Sequence, residues 1–471
     1  MAQAERLTHS EMARRAARSL DPGNTVALGP GLPTLLAEHL SPDCGILVLY
    51  DGGTLGYPQN QGHSRDPDYL VDSNGRGTWL SPGSSVNSLI DVAAMMRGGH
   101  VDVAVVQTAQ VSVQGDFSHW TTAATPGLLA PSSALDLAAA RRVVALMTHT
   151  DGEGKSNLLD RCSIPVDGVR CVDQIVSDIA VVNVTNQGFV LAEVAPGWHA
   201  DDVVALTQAP LKVSPDLHEM TLDVEHRQAP QKVYPSGLEA LADLPSGAKV
   251  MIDGFAGPGG MPHYLLVSLR DHGATDLTII SNTAGIARVV NFGTPPGKQA
   301  IDHTILIDNK QVKKAIASYP VSPSASRPSA FELAYRRGEV EVELVPQGTL
   351  AERLRAGGAG VAAFYTPTGV GTLIAEGKET RIINGREYLL EQGLRADFCL
   401  IRGHNADTLG NVVYKGTSRN FNAVMAPAAE VTIVEVDEIV EPGALGPEEI
   451  VTPGIYVDRV VKRPAEFSPY E

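Results

Sequence analysis

The sequence predicts an α/β protein made of two similar open, mostly parallel-sheet domains. Three observations carry that prediction. Strand-like apolar runs alternate with helical runs, a strand, Gly/Pro loop, helix, strand unit occurs twice, and the two occurrences lie about half a chain apart. At roughly 150 residues per domain, 471 residues would hold about three domains. The duplication replaces that figure with two.

The first unit is preceded by EMARRAARSL, an amphipathic helix for which Ser10 is the expected N-cap, and by the turn DPGN. Thr25–Leu28 then reads as a strand and Gly29-Pro30-Gly31-Leu32-Pro33 as a loop. TLLAEHL reads as a helix, and Ile46–Tyr50 is a second strand ending at Asp51, Gly52 and Gly53. The second unit repeats this order. Lys249–Ile252 opens into the glycine loop of Asp253–Pro262, YLLVSLRDHG is helical, and the strand Leu277–Ile280 leads to Ser281, Asn282, Thr283, Ala284 and Gly285.

Between the two units, Asp102–Gln107, Ile179–Val184 and Phe189–Val194 have strand character, as successive βαβ units of a parallel sheet would. The polar, proline-containing stretch VEHRQAPQKVYPSG shows neither apolar period. The expected division is therefore residues 1–223, a linker over 224–237, and residues 238–471. SPSASRPS, Ser322–Ser329, is expected to be a mobile surface loop.

Composition narrows the functional classes. Hydrophobic residues are 43% and charged residues 19% of the chain, values of a folded globular protein and not of a disordered or fibrous one. The net charge of −17 repels phosphate polymers and anionic membranes, so nucleic acid and membrane partners are not expected. A small anion remains compatible with this charge, because backbone N–H groups bind it locally. Cys44, Cys162, Cys171 and Cys399 show no CxxC pair or metal-ligand spacing, which suggests buried thiols in a reducing compartment. No apolar leader opens the sequence and no run approaches about 18 apolar residues. A cytoplasmic location is expected.

Ligands of open α/β sheets sit beyond the carboxyl ends of the strands, which singles out Asp51 and Asp253. Asp51, uncrowded by Gly52 and Gly53, suits a nucleophile or general base, and equally a turn aspartate bonding its own backbone. The loop Gly254–Gly260 has four glycines and permits close backbone approach to an anion, or simply joins strand to helix. It lacks the GxGxxG spacing, so no dinucleotide is implied. Gln347 heads the helical TLAERLRAGG and can donate to an oxyanion or cap the helix. Lys415 and Arg419 offer local positive charge or a solvated surface. HExxH, GxSxG and GxxxxGKS are absent from the sequence.

Longer blocks point to a family. PQGTLAERLRAGGAGVAAFYTPTGVGT, ADTLGNVVYKGTSRNFN, TIVEVDEIVEPGALGPEEIVTPGIYVDRVV and SNTAG resemble the α-subunit of a family I (3-oxoacid type) coenzyme A transferase. GPGLPTLLAEHL, YDGGTLGYP and MMRGGHVDVAVV resemble the β-subunit, so the order is β then α in one polypeptide. The resemblance implies two domains of the NagB/RpiA-like type, CoA-thioester chemistry, no permanently bound cofactor, and a homodimer or homotetramer.

In that family a glutamate attacks the acyl-CoA, passes through an anhydride, and then carries CoA as a thioester. The matching residue here is Asp51. Ser132 and Ser133 stand where the family has oxyanion-hole glycines, Asp253 stands where it has a glycine, and Gln347 matches its oxyanion-stabilising glutamine. The implied catalytic set is Asp51, Gln347, Asp253 and Ser133. The implied CoA and substrate contacts are Gly254, Gly257, Gly259, Gly260, Ser281, Asn282, Gly285, Gly369, Gly371 and Lys415. The first expectation is CoA transfer between an acyl-CoA and a carboxylate. Hydrolysis or β-ketoacyl C–C cleavage of a CoA thioester, with Asp51 and Asp253 as acid and base, is the alternative. A non-catalytic CoA-binding protein is a further one.

Overall fold

The computed structural model describes residues 4–50, 52–58, 70–77, 80–119, 134–223, 230–255, 260–290 and 294–470. The chain divides into two compact units, Met1–Pro230 and Gln231–Glu471.

The first unit opens with α1 (His9–Ala17). Its N-cap is Thr8 rather than the expected Ser10: the Thr8 hydroxyl accepts from the Glu11 amide, and Glu11 returns the bond to the Thr8 backbone. Ser10 already lies within the helix, past the capping position, and its hydroxyl meets His39 Nε2 at 3.1 Å instead. The strands of the main sheet follow as β1 (Thr25–Leu28), β2 (Leu47–Tyr50), β3 (Thr54–Gly56) and β4 (Ser85–Val86). After α2 (Leu89–Arg97) come β5 (Val103–Gln107), β6 (Arg142–Met147), β7 (Val172–Ser177), β8 (Ala180–Thr185), β9 (Gly188–Val194) and β10 (Leu211–Glu219). They form one sheet in the order β10-β9-β8-β7-β6-β5-β1-β2-β3-β4.

The central strands are parallel and apolar on both faces, as β1 with its fully buried TVAL shows. The segment TLLAEHL falls in a 3₁₀ helix, Leu32–His39, with Leu40 as its C-cap. Two strands expected in parallel βαβ units, β8 and β9, instead form an antiparallel hairpin, because only Asn186 and Gln187 separate Thr185 from Gly188. Cys44 is buried as expected, whereas Cys162 and Cys171 are half-buried.

The second unit holds an eight-stranded sheet. Its elements are β11 (Val233–Tyr234), β12 (Lys249–Ile252), α3 (His263–His272), β13 (Leu277–Thr283), α4 (Thr304–Asp308), β14 (Val312–Tyr319), α5 (Ala330–Arg336) and β15 (Glu341–Leu344). These are followed by α6 (Gln347–Gly358), a three-stranded sheet of β16 (Ala363–Thr366), β17 (Thr380–Ile383) and β18 (Arg386–Gln392), then β19 (Ala396–Arg402), α7 (Asn420–Met425), β20 (Ala429–Val436) and β21 (Arg459–Lys462).

The order is β11-β21-β20-β19-β12-β13-β14-β15, and every neighbouring pair is parallel. β11 falls inside the stretch expected to be linker. Its register partners are Val460 and Val461. The SPSASRPS loop, expected to be mobile, is tied at its two ends: the Ser322 and Ser329 amides both donate to Glu332 Oε2, at 2.8 and 2.9 Å.

Strand alternation sends the two faces of this sheet into two cores. Val250, Ile252, Leu277, Ile279, Phe398, Leu400 and Ile433 pack with Leu265, Leu266 and Leu269 of α3. Met251, Ile280, Cys399, Ile401 and Val434 pack with Leu350 and Leu354 of α6 and with Phe421 and Met425 of α7. α3 stops at Gly273, whose φ of 81° suits a residue without Cβ.

Candidate active site

In the second unit the expected residues gather where β12 and β13 end. Extending the register of Met251 with Ile280 by two residues sets Asp253 beside Asn282 on the α7 face, and by three sets Gly254 beside Thr283 on the α3 face.

Asp253 is fully buried. Its Oδ1 accepts from the Phe255 amide at 2.7 Å, and the Asn422 and Gly254 amides also favour its charged form. Burial outweighs these donors and pushes its carboxyl up to about 8, so it is predominantly neutral at pH 7. Its Oδ2 and the Oδ1 of Asn282 have no hydrogen-bond partner among the described residues. Burial, with the Asp253 carboxyl nearby, also raises the Cys399 thiol and the Tyr414 phenol.

On the other face Gly254 is fenced in. A Cβ there would lie 2.5 Å from Thr283 Oγ1, 2.6 Å from Ser281 Oγ and 2.8 Å from His303 Cε1. The following turn is held by Asp302, which accepts from the Ala287 amide at 2.8 Å and the Thr304 amide at 3.0 Å. Gly285 sits against it with φ of 84°, and a Cβ would come 2.8 Å from the Thr304 nitrogen. Gly260 closes the loop, its carbonyl accepting from Asn422 Nδ2 at 2.8 Å. The same amide nitrogen donates to the Ser418 carbonyl, and the Lys415 amide donates to Ser418 Oγ. This ties the segment of Lys415 to the glycine loop. Lys415 itself is exposed.

The helix after the loop departs from expectation. Its first-turn donors are taken internally: Glu435 Oε2 accepts from the Leu265 amide at 2.9 Å, with a contribution from the Tyr264 amide. Glu435 is completely buried, and burial lifts its carboxyl to about 7 against the opposing pull of Arg402. A ligand at this helix start would meet an acidic side chain already in place.

The other expected residues lie elsewhere. Gln347 is the exposed first residue of α6. Gly369 and Gly371 have φ of 90° and 72° in the loop after β16. The hydrogen bonds described above around Asp253 do not extend to these three. Gly257, Gly259, Ser132, Ser133 and Asp51 fall outside the described residues.

In the first unit, the turn before β3 is closed by the Gly53 amide donating to the Tyr50 carbonyl at 3.0 Å. Gly53 has φ of 102°, and a Cβ would lie 2.2 Å from the Asn87 carbonyl oxygen. Asn87 fixes the turn through its own amide, 2.8 Å from the Gly53 carbonyl. Tyr50 is pushed up to about 12 by burial and by Asp72. The GPGLP loop is capped by neutral amides: Gly31 N–H donates to Asn74 Oδ1 at 2.6 Å and Leu32 N–H to Gln107 Oε1 at 2.8 Å.

Sequence reasoning missed Asn422, Asp302, His303, Glu435, Asn74 and Gln107. Asn422 and Glu435 lay in the blocks SRNFN and TIVEVDEIV, and an acid breaking an apolar strand was the available signal for Glu435. Among the described residues no group of three or more His, Cys, Asp or Glu can hold a metal, and no helix is long and apolar enough to cross a membrane.

Two α/β units, each with a glycine turn at the carboxyl end of its central strands, fit the family comparison. The Coenzyme A transferase family model matches residues 9–206 and 236–463, and the chain belongs to that family, as a fusion of its two subunit types. Its relatives include one of the subunits of the probable succinyl-CoA:3-ketoacid coenzyme A transferase of Bacillus subtilis, 47% identical over 230 residues, covering 49% of this chain and 89% of that protein. The corresponding subunit of the 3-oxoadipate CoA-transferase of Pseudomonas putida is 46% identical over 230 residues, 49% of this chain and 93% of that protein. The solved acyl-CoA transferase of E. coli O157:H7 in a thioester complex with CoA aligns at 21% identity and TM-score 0.42, over 50% of this chain and 48% of that one. Enzymes of this family act on CoA thioesters and carboxylates. These relatives do not favour the hydrolase alternative.

Proposed function

We propose that this protein transfers CoA between a 3-oxoacyl or other short acyl-CoA and a carboxylate, with Asp51 as the nucleophile. The observation that carries the reading is one family matched in both halves of a single chain, with an acid retained in the YDGG turn.

The Asp51 carboxylate attacks the thioester carbonyl and expels the CoA thiolate, forming a mixed anhydride. The thiolate then attacks the aspartyl carbonyl and releases the acyl group as a free carboxylate, leaving an enzyme–CoA thioester. The acceptor carboxylate reverses these steps. Gln347 and backbone donors of the segment containing Ser133 stabilise the oxyanions. Gly254, Gly257, Gly259, Gly260, Ser281, Asn282, Gly285, Gly369, Gly371 and Lys415 shape the CoA and substrate contacts. Asp253, neutral at pH 7, fixes the start of the glycine loop and stays outside the chemistry.

The enzyme needs no permanently bound cofactor, assembles as a homodimer or homotetramer, and works in the cytoplasm. Mass-spectrometric product analysis with a panel of acyl-CoAs, with and without acetate or succinate, tests the reading. A new acyl-CoA formed only with the carboxylate supports it. Free CoA released at the same rate without any carboxylate sinks it.

A further inference from the structure

We infer that Glu435 is a positioning residue for the proposed transfer reaction: its buried side chain holds the N-terminus of α3 and with it Gly260, Met261 and Pro262, which lead into the helix. The inference rests on the CoA-transfer reading for its kinetic consequence, and on geometry alone for the structural one.

A helix start leaves its first N–H groups without intrahelical acceptors, and a buried start must find acceptors elsewhere. α3 has Pro262 as N-cap, which supplies no side-chain acceptor. Glu435 fills that role from the neighbouring sheet. It lies one residue before the end of β20, on the face that packs α3, and its Oε2 is 2.9 Å from the Leu265 nitrogen.

Its register partner is Arg402, at the end of β19, with Nε 3.8 Å from Glu435 Oε1. Arg402 is anchored in turn by Asp437 Oδ1 at 2.6 Å and by the Gly403 carbonyl at 2.7 Å. Asp437 also receives Arg463 at 2.7 Å. The Glu435 carboxyl therefore stands beside a braced cation and faces the helix start, both of which oppose the effect of its burial. Gly260, two residues before that N-cap, is tied by Asn422, so the helix side of the loop has two anchors.

The test compares Glu435→Ala with Glu435→Gln in the full-length protein, since glutamine keeps an acceptor for the Leu265 amide. In Glu435→Ala, hydrogen exchange should accelerate by about tenfold in His263–His272 while Gln347–Gly358 stays at the wild-type rate. The same variant should lose about tenfold in kcat, with KM for acyl-CoA within about threefold of wild type, because loop misplacement acts on reacting geometry. Glu435→Gln should restore both quantities to within about threefold of wild type. Wild-type exchange in Glu435→Ala, or failure of Glu435→Gln to restore either quantity, overturns the inference. If Glu435→Ala does not fold, Glu435→Asp withdraws the acceptor by one methylene and should show the same exchange pattern; wild-type exchange there overturns it equally. If the wild-type protein transfers no CoA, the function reading falls, and the exchange measurement still decides the role of Glu435.

Discussion

The two strand, glycine loop, helix openings solve one problem with different chemistry. In the first unit, β1 leads into Gly31 and a 3₁₀ helix whose first donors meet the neutral amides of Asn74 and Gln107. In the second, β12 leads into Asp253 and α3, whose donors meet the Glu435 carboxyl. Neutral caps hold at any pH. Buried carboxyls bind more tightly to the helix start when ionised but resist ionisation, so the second opening is coupled to protons and the first is not.

The largest effect expected on this comparison is chemical. Asp51→Asn should reduce CoA transfer by at least about a thousandfold, read by acyl-CoA product formation, because an amide cannot form the anhydride. Retained activity in that variant would remove the first unit's turn from the mechanism.

Next come the glycines. Gly31→Ala adds a Cβ 1.9 Å from Gln107 Oε1 at a φ of 86°, combining collision with backbone strain, and should destabilise the protein by about 3 kcal/mol in urea melts. Gly254→Ala collides with Ser281, Thr283 and His303 without that strain and should cost about 2 kcal/mol. Equal costs would show that backbone conformation contributes nothing to the difference.

The amide ties are equal to the second glycine or smaller. Asn422→Ala frees the Gly260 and Ser418 carbonyls and the Arg402 amide, all buried or half-buried, and should cost about 2 kcal/mol. Asn74→Ala should cost about 1 kcal/mol by releasing the Gly31 amide.

The pH dependence sharpens the comparison most directly. Asp253 and Glu435 are raised to about 8 and about 7, so the fold favours their protonated forms. Their contribution to stability is complete below the ordinary carboxylate pKa and is lost as pH rises through about 7 to 8. Wild-type stability should fall between pH 5 and pH 8, and Asp253→Asn should flatten that slope by on the order of 1 kcal/mol per pH unit, measured by urea denaturation at each pH. An unchanged slope would mean that Asp253 is ionised in the native protein.

Much of this was legible beforehand. Period and punctuation located β1, β2, β12, α3 and β13, because a buried parallel strand is a continuous apolar run and glycine marks its exit. Sequence blocks were enough to indicate the family. The antiparallel pairing of β8 with β9 was readable in principle from the two residues between them, and the assumption of uniform βαβ units hid it. Thr8 as the cap of α1 was equally available, through Glu11 three residues on.

The capping partners belong to a different category. Asn74 lies 43 positions from Gly31, and Glu435 lies 170 from Leu265. A sequence window sees only an amide in a turn and an acid in a strand. By itself the sequence determined which segments become strands, helices and turns, since local periodicity and backbone restrictions act over a few residues. Only the tertiary structure decided that Gly254 must lack a side chain, that burial raises the Asp253 carboxyl, and that Glu435 occupies the start of α3. Each of these depends on which distant groups share one buried volume, and burial and hydrogen bonding across the sheet are properties of that volume.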